Sequence, residues 1–243
     1  MFLSVFDIFK VGVGPSSSHT MGPMVAGGRF LDMLRASPFH PRHLRVRLYG
    51  SLAFTGKGHA TDRATILGLA GFLPESYEAE KAEAALAANR ESHLLTPPGL
   101  GPLQFDPDHD LIFDYGHPLP GHANGMVIEA RDAEGDVILR ETFYSIGGGF
   151  VLTEAEHAAV DDKALAAPSP VPFPFRKADE MLSMAQASGL TIAQMKRRNE
   201  RRYRSEAEIE AGLARIWQVM NDCLTRGLET EGVLPGGLRV KRR

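Results

Sequence analysis

Three hydroxyls and an imidazole occupy consecutive positions at Ser16-Ser17-Ser18-His19, behind Gly12-Val13-Gly14-Pro15 and ahead of the apolar stretch Met24-Val25-Ala26. A glycine-containing loop that opens a helix presents backbone N–H groups, and hydroxyls beside them hold a carboxylate or a phosphate. A serine N-cap accounts for one of these residues, but not for three serines and a histidine. The segment matches neither the P-loop pattern nor GxGxxG.

A second polar segment is Gly50-Ser51-Leu52-Ala53-Phe54-Thr55-Gly56-Lys57-Gly58-His59-Ala60-Thr61-Asp62. It lies between a strand pattern and a helix pattern, where α/β proteins carry ligand loops. Gly56-Lys57-Gly58-His59 puts an ammonium and an imidazole in one tight turn, and Thr61 or Asp62 can cap the helix that follows. A lone Lys or His in such a loop is ordinarily solvated surface, and only the clustering argues for more. The third segment, His117-Pro118-Leu119-Pro120-Gly121-His122-Ala123-Asn124-Gly125-Met126, places two histidines five residues apart. They read either as metal ligands or as part of a proline-stiffened loop with Asn124-Gly125 as its turn. The loop is preferred, because that spacing fixes no geometry and no Cys or third His is near, so no metal site is expected. The fourth segment, Tyr144-Ser145-Ile146-Gly147-Gly148-Gly149-Phe150, ends a strand in three glycines, which a tight bend alone would require.

These loops need elements to position them. Leu44-Arg45-Val46-Arg47-Leu48-Tyr49 alternates with period two, as a half-buried strand does. Thr61 to Phe72 and the Ala/Glu-rich Glu75 to Asn89 read as helices. Leu111–Phe113, Met126–Ala130, Val137–Leu139 and Thr142–Tyr144 read as strands, with Ala133-Glu134-Gly135-Asp136 as a hairpin turn. Further on, Arg176 to Ser188, Thr191 to Arg202 and Glu206 to Gly227 read as helices; the last carries Ile209, Leu213, Ile216, Trp217, Met220 and Leu224 on one face. Four prolines between Ala167 and Pro174 separate the two regions, and the net charge changes from −8 over 1–167 to +5 over 168–243. The expected fold is α+β: a mixed α/β sandwich over 1–167, a Pro-rich linker over 168–175 and an all-helical segment over 176–243.

Composition narrows the function further. With 27 Lys+Arg against 30 Asp+Glu, the chain is not a strongly basic nucleic-acid binder, and 43% hydrophobic residues exclude a disordered one. A single cysteine gives neither a disulfide framework nor a cysteine-held metal centre from this chain alone. No apolar run approaches membrane-spanning length, and Asp7 within an opening that lacks a basic leader argues against a signal peptide, so a cytoplasmic protein is expected.

Taken in order, the motifs resemble those of the iron–sulfur L-serine dehydratases. Ser4-Val5-Phe6-Asp7-Ile8-Phe9-Lys10 leading into the serine loop is similar to that family's opening, and Gly50–Ala53 with Gly56–Asp62 to its second signature. Pro118–His122 and Ser145–Phe150 follow in the same order, and Leu234-Pro235-Gly236-Gly237-Leu238 is similar to the segment entering the family's catalytic domain. Ala123 departs from the proline expected there, without removing a reactive group. The resemblance implies dehydration of L-serine to pyruvate and ammonia by an enzyme whose 4Fe-4S cluster acts as a Lewis acid on the substrate. By motif position it implies catalytic roles for His59, His19 and Thr61, with His59 the candidate base because imidazole changes charge near neutral pH. Ser16, Ser17, Ser18, Lys57, His122 and Asn124 would bind or enclose the substrate. The family's cluster cysteines lie in a C-terminal helical α domain, whereas Cys223 is expected here to be a small core residue beside Met220 and Leu224. The chain is therefore expected to be the β domain with the start of that α domain: a truncation, a frameshifted product or one member of a split enzyme, inactive alone. Its expected partners are L-serine, the cluster-binding α domain and further copies of the complete enzyme, with no nucleic acid and no membrane. The competing reading is a serine- or anion-binding regulatory module without catalysis.

Overall fold

The alternation of Leu44, Val46 and Leu48 with Arg45 and Arg47 becomes strand β1 (His43–Tyr49), whose three aliphatic residues are fully buried. β1 is the centre of a seven-stranded mixed sheet. On one side it pairs antiparallel with β5 (Gly125–Arg131), followed by β6 (Val137–Gly147) and β7 (Phe150–Thr153). On the other side it pairs in parallel with β4 (Leu111–Asp114) and, at His43, with the short β3 (Leu103–Gln104), which carries β2 (Leu94–Leu95). Helices α2 (Gly22–Ala36), α4 (Thr61–Leu69) and α5 (Ala79–Ser92) contribute Met24, Phe30, Leu31, Leu67, Leu69 and Leu86 to one core with Val46, Ile128 and Phe143. The other face of the sheet carries the arginines of β1 and β5. Arg29 of α2 bridges to Glu156 in the short helix α7 (Glu154–Ala158), and the guanidinium pulls the Glu156 carboxyl down to about 2.

The structure describes residues 2–160, 171–233 and 241. They form an α+β architecture with a helical C-terminal segment, as the sequence pattern predicts. Two compact units are present: Gly12–Ala159, just described, and Met1–Val11 together with Val160–Arg243. The second unit contains α8 (Ala178–Ser188), α9 (Ile192–Glu200) and α10 (Glu206–Glu229). Its first contributor is α1 (Val5–Ile8), capped by Ser4 with Asp7 closing the capping box. The buried Glu200 accepts hydrogen bonds from the Ser4 hydroxyl at 2.8 Å, from the Val5 N–H at 2.7 Å and from Arg204 at 3.2 Å. The opening residues thus pack on the C-terminal helices, an arrangement that charge and composition do not signal. Pro168 and Pro170 of the expected linker, and Leu234–Leu238, lie outside the described residues.

One expectation is corrected. Cys223 is exposed rather than a core residue. On α10 only Ile209 is buried, while Trp217, Met220 and Leu224 are 63%, 47% and 60% exposed, so the apolar stripe flanking the thiol is uncovered. No helix among the described residues is long and apolar enough to cross a membrane.

Within the sheet unit α2 and α4 cross at glycines. A Cβ on Gly68 would lie 2.3 Å from the Met24 carbonyl oxygen, and one on Gly27 would lie 2.8 Å from the Gly68 carbonyl carbon. The backbones touch directly, which fixes the separation of the two loops that these helices carry at their N-terminal ends.

Candidate active site

The serine segment folds as one π-helical turn, Ser17–Met21, with the N–H groups of Met21 and Gly22 bonded five residues back to the carbonyls of Ser16 and Ser17. Wide turns of this kind recur at functional sites. Ser16 caps the turn, its hydroxyl accepting from the His19 N–H at 3.1 Å. The Ser18 hydroxyl lies 2.9 Å from His19 Nδ1, and the Ser51 hydroxyl lies 2.9 Å from His19 Nε2, so both ring nitrogens are held. Ser17 is exposed, with no hydroxyl partner among the described residues.

The second segment folds as α3 (Ser51–Thr55) and a tight 3-10 turn, Gly56–His59. Ala60, at φ 53°, then bends the chain into α4. A non-glycine residue in that left-handed region costs on the order of 1 kcal/mol, a strain of the kind found at active sites. The bend places the His59 ring with its centroid 5.0 Å from that of His19. His59 Nδ1 is 2.9 Å from the Thr55 carbonyl oxygen. A carbonyl only accepts, so Nδ1 carries the proton and the neutral ring presents a bare Nε2, for which the described residues hold no partner. Two cross-links set the histidines against each other: the Thr20 hydroxyl donates to the His59 carbonyl at 2.8 Å, and the Thr61 hydroxyl donates to the His19 carbonyl at 2.6 Å. Thr61 is completely buried, with its hydroxyl engaged by the His19 carbonyl.

The third and fourth segments reach the same place. The Ser51 N–H donates to the Ala123 carbonyl at 2.8 Å. This approach requires Gly50 (φ 52°), where a Cβ would lie 2.4 Å from that carbonyl oxygen. The Ser145 hydroxyl donates to the Ser18 carbonyl at 2.7 Å, while Asn124 Nδ2 donates to the Ser145 carbonyl at 3.1 Å. The Asn124 N–H donates to His122 Nδ1 at 3.1 Å, so neutral His122 carries its proton on Nε2 and is a hydrogen-bond donor there.

The structure therefore brings Ser16, Ser18, His19, His59, Thr61, His122 and Asn124 into one connected network. Lys57 is not part of it. Its ammonium lies 5.5 Å from the centre of the Phe113 ring, in a separate cavity lined also by Asp62, Arg63, Arg90 and Asp106. Residues two apart on a 3-10 turn point in different directions, which separates Lys57 from His59. The sequence reading names neither Ser51 nor Ser145 as a site residue, although both supply contacts that hold the network. Their signal was a nearby glycine, Gly50 directly before Ser51 and Gly147 two residues after Ser145, which marks close backbone approach and not a reactive group. Among the described residues no group of three His, Cys, Asp or Glu could hold a metal ion, and with one exposed cysteine the chain does not fit an iron–sulfur cluster.

Burial and, after it, the neighbouring His59 hold His19 below the usual imidazole value, while a hydrogen bond with Ser51 opposes the shift. A lowered pKa means that the folded state favours neutral His19. The associated stability is present above pH 6.5 and is lost as pH falls through the lowered value. In a proton NMR titration the His19 ring is expected to show a midpoint below 6.5. His59→Gln should raise that midpoint only in part, because burial is the larger cause; a midpoint at or above 6.5 would refute the assignment.

Comparison with known proteins places the chain in a family. Residues 4–156 match the family model described as serine dehydratase beta chain. The chain is 43% identical over 249 residues to an L-serine dehydratase of Streptomyces coelicolor, covering 100% of this chain and 53% of that protein. It is 46% identical over 246 residues to L-serine dehydratase TdcG of Escherichia coli, covering 99% and 52%. With an L-serine dehydratase of Helicobacter pylori the figures are 37% over 240 residues, 98% and 52%. The chain thus spans about half the length of the curated relatives it matches. A family match that contains all four polar segments, together with relatives similar from end to end of this sequence, establishes that the chain belongs to the serine dehydratase beta-chain family.

Proposed function

We propose that this chain is the part of an L-serine dehydratase, a lyase forming pyruvate and ammonia from L-serine, that supplies proton-handling and carboxylate-binding groups but no cluster ligand. The observation that carries the reading is the His19–His59 pair, in which the Thr55 carbonyl pins the proton of His59 to Nδ1 and leaves Nε2 bare beside the serine turn. Dehydration requires removal of the serine Cα proton and departure of the β-hydroxyl. His59 Nε2 takes the Cα proton, in the arrangement of a base oriented by a third group. The substrate carboxylate lies against the Ser16–Ser18 turn, where the exposed Ser17 hydroxyl is free to donate, and His122 Nε2–H supplies a further donor. His19, neutral at working pH, holds the Ser18 and Ser51 hydroxyls in place. The family's iron–sulfur cluster would supply Lewis-acid assistance at the leaving hydroxyl; this chain's donors do not fit it.

The test is to assay the chain alone and joined to the second half that its relatives possess. Alone, even after anaerobic loading with iron and sulfide, it is expected to be colourless and to form no pyruvate; joined, it is expected to form pyruvate from L-serine. A brown isolated chain that turns over serine would refute the division of labour. Saturable L-serine binding without iron, combined with no turnover in the joined enzyme, would replace this reading with a regulatory module.

A further inference from the structure

The face of the sheet turned away from the helices carries a cluster that the dehydratase site does not use. Strand register lines up Arg45 of β1 with Glu129 of β5, and Glu129 with Arg140 of β6. Arg47 is one step along the same face of β1, and Arg131 lies opposite His43. Together with Tyr49 and Val127 these residues line a cavity of about 110 Å³.

Four guanidinium groups meet two carboxylates there. Glu129 is shared by Arg131 at 2.9 Å and Arg140 at 3.4 Å, and Arg47 pairs with Asp114 at 3.1 Å. Arg45 faces Glu129 in register yet has no partner among the described residues, so two positive charges are uncompensated. In addition, the Nε–H groups of Arg45 and Arg131 are shielded from solvent and make no hydrogen bond. Buried donors are almost always satisfied in native proteins, and those that are not call for an acceptor. The planar guanidinium fork matches an oxyanion.

We propose that this cavity is a binding site for a doubly charged oxyanion, a phosphate group free or carried by a small metabolite, held by Arg45, Arg131 and Arg140. Its charge equals the local excess, and the cavity's volume is of the order of one such group. The site shares no residue with the histidine network, so the inference stands independently of the proposed dehydratase function.

The test uses the full chain labelled with nitrogen-15. Inorganic phosphate is titrated at constant ionic strength while the arginine Nε–H signals are followed, with acetate and chloride as parallel arms. Saturable shifts of the Arg45 and Arg131 signals are expected with phosphate, weaker ones with acetate and none with chloride, while the His19 and His59 ring signals stay in place. Arg45→Gln should weaken phosphate binding on the order of tenfold, the loss of one charge-assisted contact. Should that variant fail to fold, Arg140→Gln, whose side chain is 60% exposed, serves the same purpose. The proposal is overturned if no saturable shift appears, if chloride or acetate matches phosphate, or if the shifts fall on residues 16–20 with the arginines silent.

Discussion

His59→Ala, introduced into the enzyme formed when this chain is joined to the second half that its relatives possess, is expected to lower turnover roughly 100-fold or more, the usual contribution of a positioned base. The expectation rests on geometry. Of the two neighbouring rings, His19 has both nitrogens engaged by serine hydroxyls, while His59 has one nitrogen fixed by a carbonyl and the other without a partner among the described residues. Only the second arrangement leaves a lone pair without a partner among the described residues. The loss should fall on kcat with little change in KM, because the ring touches the proton and not the carboxylate. His59→Gln should be equally slow, since its amide cannot take a proton. Turnover near that of the parent in either variant would pass the base role to His19, and the pH profile would then follow the lowered His19 titration.

Gly68→Ala is expected to destabilise the sheet unit by about 3 kcal/mol, the upper part of the range for overpacking a core. The added methyl meets the Met24 carbonyl oxygen at 2.3 Å and the Met24 Cα at 2.8 Å, and backbone atoms cannot rotate away as a side chain can. Relief requires α2 and α4 to separate, which also pulls apart the Ser16–Thr20 turn and the His59–Thr61 bend, each at the start of one helix. Urea unfolding should therefore show a lower midpoint, and the His19 midpoint should move back toward 6.5 as the two rings separate. Gly101→Ala is the control, since a Cβ there meets nothing within 4 Å. Equal unfolding midpoints for the two variants would show that the crossing tolerates a methyl group.

Much of this arrangement is legible from residue types because local pattern and tertiary role coincide. Leu44, Val46 and Leu48 face the core because period two leaves no other choice, and the helices starting at Thr61 and Glu206 begin where the sequence places them. Val137–Leu139 and Thr142–Tyr144 read as two strands because Arg140 and Glu141 interrupt the apolar run; in the sheet they belong to one strand, with Arg140 exposed on the open face. The two-residue strands β2 and β3 carry too little pattern to be seen. At the site, proximity in sequence keeps the serine residues together but does not hold Lys57 beside His59, because a 3-10 turn sends neighbours outward in different directions. Nothing in Ser51 or Ser145 distinguishes them from cap residues until the loops that they join are brought together.

The dependence of Glu200 on Ser4 and Val5 has a consequence for biosynthesis. The contact joins residues 196 positions apart. At ordinary rates of translation, α1 must wait about 10 to 40 s after its own synthesis before its acceptor exists. Every strand of the sheet is made in that interval, so the sheet unit is able to fold on the ribosome while the first eleven residues are still without their partner. A nascent chain arrested near residue 195, with the last strand clear of the exit tunnel and Glu200 not yet made, should therefore already hold a protease-resistant sheet unit with a cleavable N-terminus, and the N-terminus should become protected only once α9 has emerged.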